Sequence, residues 1–169
     1  RSSSYTIGGG VIVESGAKRH RRYHNPTIER LNILYGGSEE EIVTQIIKAN
    51  DPCSMQDLIR LSELDTIDLM GILDALVLND SVIVIGDANI HKQNLIFSAE
   101  EWREFIHTIT SLLLSYHKNN QLSYGMNKES LRSRLGLQSD VFGITITKLE
   151  EEQYIVNQGA IISLYEHKV

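Results

Sequence analysis

The chain has 169 residues, 41% of them hydrophobic, and 22 Asp/Glu against 16 Lys/Arg give a formal charge of −6. That size supports two small domains of about 60–75 residues, each marginal alone, so packing between them is expected to help. No apolar run nears the roughly 18–20 residues of a membrane span and no signal-peptide pattern appears. The single cysteine, Cys53, excludes an internal disulfide framework and fits a reducing cytosol, so a cytoplasmic location away from membranes is expected.

The charge is unevenly spread. Residues 1–37 hold Arg1, Lys18, Arg19, Arg21, Arg22 and Arg30 against Glu14 and Glu29, a net +4, while the remainder holds 10 Lys/Arg against 20 Asp/Glu, a net −10. Any attraction for phosphate is therefore concentrated near the start.

In chain order, residues 1–14 read as a strand: Tyr5-Thr-Ile-Gly-Gly-Gly-Val-Ile-Val13 is β-branched on both sides of three glycines. A phosphate-cradling loop would need a helix and a Lys-Ser/Thr after the glycines, and Val11-Ile-Val13 follows instead. Such a strand needs partners, so it is expected to be the last strand of a preceding β-barrel; an opening of Arg-Ser-Ser-Ser without Met also suggests an excised piece. Residues 15–37 read as a basic linker. Lys18-Arg-His-Arg-Arg22, with Tyr23, His24 and Arg30 nearby, suits RNA phosphate contact with base stacking. It equally suits a solvated linker whose arginines pair with acidic neighbours.

Residues 38–97 predict a first winged helix. Ser38 caps a helix that opens Glu39-Glu40-Glu41 and carries a stripe of Ile42, Val43, Ile46 and Ile47. Asp51-Pro-Cys-Ser breaks it, and Ser54 caps a second helix through Leu61. A third, about Thr66–Asn79, buries Leu69, Leu73 and Leu76, with Met55 and Met70 as core filler. Val82–Ile85, Gly86-Asp-Ala-Asn89 and Ile90–Phe97 then read as a hairpin.

Residues 98–169 predict a second. Ser98-Ala-Glu-Glu101 is a capping box before a long helix whose apolar face runs Trp102, Phe105, Ile106, Ile109, Leu112, Leu113 and Tyr116. That stripe is wide enough for part of it to pack on the first module. Asn127 caps a short helix with Leu131 and Leu135, Gly136 turns the chain, and Ser139 caps a helix that buries Phe142, Ile146 and Leu149. Tyr154–Val156, Asn157-Gln-Gly159 and Ala160–Leu164 close the hairpin.

The two halves share one register. Leu58 and Leu131, Leu69 and Phe142, Leu73 and Ile146, Leu76 and Leu149, Val82 and Ile155 all stand 73 residues apart, which reads as an internal repeat; the competing reading is that any two small helical domains would align this well. The fold class is thus α+β and mainly helical: tandem winged-helix domains after an orphan strand and a basic linker.

In DNA-reading winged helices the third helix enters the major groove and offers Arg, Lys, Asn or Gln. Here the first third helix carries Asp65, Asp68 and Asp74, and the second opens Gln138-Ser-Asp140 and ends Lys148-Leu-Glu-Glu-Glu152. Those acids repel phosphates that a duplex binder must neutralise, so both helices read as poor nucleic-acid readers. Lys128 and Arg132 share one face of the short helix before the turn, with Arg134 pointing away. Phosphate contact there competes with the favoured alternative, salt bridges to Glu129 or Glu150–Glu152. The candidate RNA-contacting residues are therefore Lys18, Arg19, Arg21, Arg22, Arg30, Lys128 and Arg132.

No catalytic or metal constellation is expected. His20, His24, His91, His107, His117 and His167 are scattered, and His20 and His24 flank residues that disfavour a helix. Cys53 lacks a base and reads as a small buried hydrophobe.

Thr6-Ile-Gly-Gly-Gly-Val11, Ala17-Lys-Arg-His-Arg-Arg22 and Arg30-Leu31 resemble the junction between the last β-barrel and the C-terminal winged-helix arm in the bacterial selenocysteine-specific elongation factor family, SelB. Tyr116-His117, Leu122, Gly125-Met126, Lys128-Glu129 and Leu131-Arg-Ser-Arg-Leu135 resemble that family's second winged helix. The resemblance implies a parent GTPase, using GTP and Mg, that carries selenocysteyl-tRNA to the ribosome at UGA codons beside an mRNA hairpin. GTP would bind in an N-terminal domain and the hairpin to later winged helices, both outside this chain. This chain would then be a non-enzymatic spacer, without cofactor and with weak or no nucleic-acid binding of its own. The alternatives are a tandem winged-helix DNA-binding regulator and a protein–protein adaptor. The acidic third helices argue against the first, and the basic linker and orphan strand against the second.

Overall fold

The structure is a computed structural model, and it describes residues 8–13, 19, 22–86 and 94–167. Residues 8–13 form no strand, and Val11 and Ile12 are exposed. The expected terminal strand is therefore not formed over these residues; an extended segment without a neighbouring strand has no ladder to satisfy its amides. Residues 1–7 and 14, the rest of that stretch, lie outside the described residues, as do Lys18, His20 and Arg21.

The first helix lies where a linker was expected. α1 spans Asn25–Gly36 with Pro26 in its first turn, where proline's missing N–H costs nothing. It buries no residue completely and packs on α2, Glu39–Ala49. The capping box of α2 forms in full: Ser38 Oγ accepts from the Glu41 N–H at 3.2 Å, and the Ser38 N–H donates to the Glu41 carboxylate at 2.8 Å.

A two-residue strand β1 (Cys53–Ser54) precedes α3 (Met55–Ser62), where Ser54 Oγ accepts from the Asp57 N–H at 3.0 Å. α4 (Thr66–Leu78) leads into β2 (Val82–Ile85) and β3 (Leu95–Ser98). The three strands form an antiparallel sheet in the order β1-β3-β2. The expected second strand from Ile90 begins at Leu95 among the described residues, and residues 87–93 lie outside them.

The second module repeats the plan with α5 (Ala99–Asn119), β4 (Met126–Asn127), α6 (Lys128–Leu135), α7 (Ser139–Glu151), β5 (Ile155–Gln158) and β6 (Ile161–Leu164), its sheet ordered β4-β6-β5. Asn127 caps α6 as expected, accepting from Glu129 and Ser130 N–H groups. Ser139 does not cap α7. It is the first helical residue, and Gln138 takes the cap position with no side-chain bond, because its longer side chain is a poor match for a cap's short reach.

The 73-residue register extends beyond the five apolar pairs. It relates β1 to β4, cap Ser54 to cap Asn127, and left-handed Glu63 (φ 56°) to left-handed Gly136 (φ 67°). It also relates Asp80 (φ 53°) to Gln153 (φ 62°), the residues that turn each third helix into its hairpin. The residues in all five apolar pairs are buried.

Two cores result, and one strand pair serves both. Val82 and Ile96 face the first module's core with Leu58, Leu69 and Ile47. The alternate residues Ile85, Leu95 and Phe97 belong to the second module's core with Trp102, Ile109 and Leu113. Phe97 meets the Trp102 ring edge-on at 5.2 Å, and Trp102 stacks on Phe105 at 5.7 Å. The Ser98 N–H donates to Asp51 Oδ2 at 2.9 Å, binding the start of α5 to the first module. Part of the wide stripe on α5 is thus covered by the first module, as its width suggested, while the rest packs in the second module's own core.

Candidate nucleic-acid interface

On α4, Leu69, Leu73 and Leu76 are buried, which turns Ile67, Gly71, Asp74, Ala75 and Leu78 outward at helical spacing. Asp65, Asp68 and Asp74 are exposed, and Asp65 also caps the helix by accepting from the Ile67 N–H at 3.2 Å. Ile67 is 80% and Leu78 86% exposed, and no Lys or Arg lies on this helix. On α7, Ser139, Asp140, Thr147, Glu150 and Glu151 are exposed. Its single cation, Lys148, pairs with Glu152 at 3.4 Å. Both faces have the negative sign expected from the sequence and offer a duplex nothing that would release its counterions.

The candidate cations fall in two separate places. Arg19 and Arg22 are exposed ahead of α1, with the Arg22 guanidinium 5.0 Å from the Tyr23 ring centre, and Arg30 is half-buried on α1. Lys128 and Arg132 are half-buried on α6 in the other module. Arg132 is engaged as the charge pattern suggested: it pairs with Glu129 at 2.8 Å and donates to the Leu137 carbonyl at 3.1 Å, bracing the turn into α7. Lys18 and Arg21 lie outside the described residues.

Other polar groups are structural. Cys53 is buried, and its thiol is pushed up to about 11 by burial, with the Asp57 and Asp51 charges adding, so it is no thiolate nucleophile. Burial also raises the Asp51 carboxyl, against the opposing hydrogen bonds from Ser98. Among the described residues no three His, Cys, Asp or Glu side chains converge to hold a metal ion, and no helix is long and apolar enough to cross a membrane.

The sequence reading missed one cluster. His117 and His167, 50 positions apart, stack with ring centres 3.6 Å apart. Their spacing in the chain carries no signal, since the fold of the second hairpin brings them together.

The architecture defines a tandem winged-helix protein of the α+β class, with three helices and a hairpin in each unit and a small third strand joining each sheet. Residues 110–164 match the family model described as "Elongation factor SelB, winged helix", a stretch from the middle of α5 to the end of β6. The second module is therefore a SelB-like winged helix. No curated protein matches the chain.

Proposed function

We propose that this chain is the winged-helix spacer of a selenocysteine-specific elongation factor, holding an mRNA-hairpin-binding tip at a set distance from a GTP- and tRNA-binding body. The match over residues 110–164 supports the family. The observation that carries the spacer role is the pair of acidic third-helix faces, Asp65, Asp68 and Asp74 on one and Asp140, Glu150 and Glu151 on the other. A module that gripped RNA or DNA through these helices would have to overcome its own charge. The seam through Phe97 and Trp102 fits the same role, because a strut must not bend freely at its middle. GTP, Mg, selenocysteyl-tRNA and the ribosome belong to the parent protein in this reading, which acts in the cytoplasm, and the chain itself performs no chemistry.

Gel-shift titration of the full chain tests it. Neither the selenocysteine-insertion hairpin nor duplex DNA should bind tightly. Weak RNA binding should fall steeply with salt and vanish when Arg19, Arg21 and Arg22 become Ala. Nanomolar, sequence-selective binding to duplex DNA would overturn the reading. The exposed Ile67 and Leu78 favour the protein–protein adaptor as the second reading, because large apolar side chains in water suit a protein partner better than a nucleic acid.

A further inference from the structure

The end of the second hairpin is fastened to α5 through two histidine rings. His117, in the last turns of α5, is 94% buried, and its Nε2 accepts the Leu164 N–H from β6 at 3.3 Å. That contact fixes the tautomer: Nε2 carries the lone pair, so the proton is on Nδ1, which is buried with no hydrogen-bond partner among the described residues. The ring of His167 lies over it at 3.6 Å and 21°, and His167 Nε2 donates to the Ser123 carbonyl at 3.1 Å. Ser123 Oγ is 3.3 Å from the Tyr116 hydroxyl and donates to the Gly125 carbonyl at 3.0 Å, so the α5–β4 connection joins the same cluster.

We infer that the stacked pair His117–His167 is a proton-operated latch: it holds β6 and residues 165–167 against α5 while His117 is neutral, and releases them when His117 takes up a proton. The chemistry is local. A proton from water must go to Nε2, which holds the ring's one available lone pair, and there it opposes the Leu164 N–H in place of accepting from it. The new charge also sits in a buried site, and a second proton on His167 would set two cations face to face. Around His117, α5 offers Tyr116 and the exposed Lys118. The hairpin's end offers His167 and the exposed Glu166, and the connecting loop offers Ser123 and the exposed Tyr124. None places a carboxylate in hydrogen-bond contact with the ring to hold it charged.

The direction of titration agrees. Burial lowers the His117 value below the ordinary 6.5, and the His167 charge lowers it further. The folded state therefore binds fewer protons than the unfolded chain. The latch's contribution is complete above pH 6.5 and is lost as pH falls through the lowered folded value.

NMR on the full chain between pH 7.5 and 5 tests this. The Leu164 amide shift should follow the His117 ring midpoint. Hydrogen-exchange protection at Leu164 and Tyr165, corrected for intrinsic rate, should fall at least tenfold towards pH 5 while the amides of α3 and α4 keep theirs. His117→Gln retains an acceptor that does not titrate, and should abolish the pH dependence. His167→Phe retains the stacked ring without its charge, and should move the Leu164 midpoint upward. A Leu164 amide indifferent to His117 titration, or equal acid opening in His117→Gln, overturns the latch. If His117→Gln fails to fold, the midpoint in His167→Phe decides: an upward move supports the latch and an unmoved one refutes it.

Discussion

The two hairpins hold equivalent places in the repeat yet live in different surroundings. The first is apolar on both faces: Val82 and Ile96 look into one core while Ile85, Leu95 and Phe97 look into the other. The second is buried on one face through Ile155 and Ile162, and on the other it leaves Gln158, Tyr154 and Tyr165 exposed. The difference was written in the strands themselves. Val82-Ile-Val-Ile85 and Leu95-Ile-Phe97 are continuous apolar runs, the pattern of a strand covered twice, whereas Ile155-Val-Asn-Gln158 gives way to polar residues. One hairpin is an internal wall and the other an outer one.

That contrast is open to direct attack. Phe97→Ala should cost about 3–5 kcal/mol and lower the melting of both modules together, as read by thermal unfolding with probes in each. On the outer wall the exposed Tyr165, just past β6, packs against little, so Tyr165→Ala should cost less than about 0.5 kcal/mol. Equal losses would mean that the first hairpin is not shared. A smaller effect separates the two inter-helix turns. Glu63 pays for the left-handed conformation that Gly136 adopts freely, so Glu63→Gly should stabilise by about 1 kcal/mol and Gly136→Ala destabilise by about as much in denaturant titrations. Smallest is the cap difference: Asp65 caps α4 while Gln138 leaves α7 uncapped, so Gln138→Ser should add about 0.5–1 kcal/mol.

Much of this was legible in the residues. The helices carrying Leu58, Leu69 and Leu73, and their partners carrying Leu131, Phe142 and Ile146, followed from periodicity, and the repeat doubled the weight of each. The strands Cys53–Ser54 and Met126–Asn127 were not legible, because two residues show no period. Helix α1 was hidden by Asn25-Pro26, which reads as a break although proline is at home in a first turn; the half-buried Leu31 and Leu34 behind it were the available signal. Of the candidate interface, the negative sign of α4 and α7 was fully visible, since charge needs no coordinates. The engagement of Arg132 by Glu129 was visible as a competing pairing, while its grip on the Leu137 carbonyl depends on the path of the turn. The stack of His117 on His167 was invisible, because it depends on where the second hairpin folds back.

Ser98 is at once the final residue of β3 and the cap of α5, and its amide is held by Asp51. There is consequently no slack at the junction: twisting one half drags the other, and the pair moves as a single lever. A cut at this point would not liberate two tidy pieces but would strip Trp102 and Phe105 of their cover and leave each stump prone to clump.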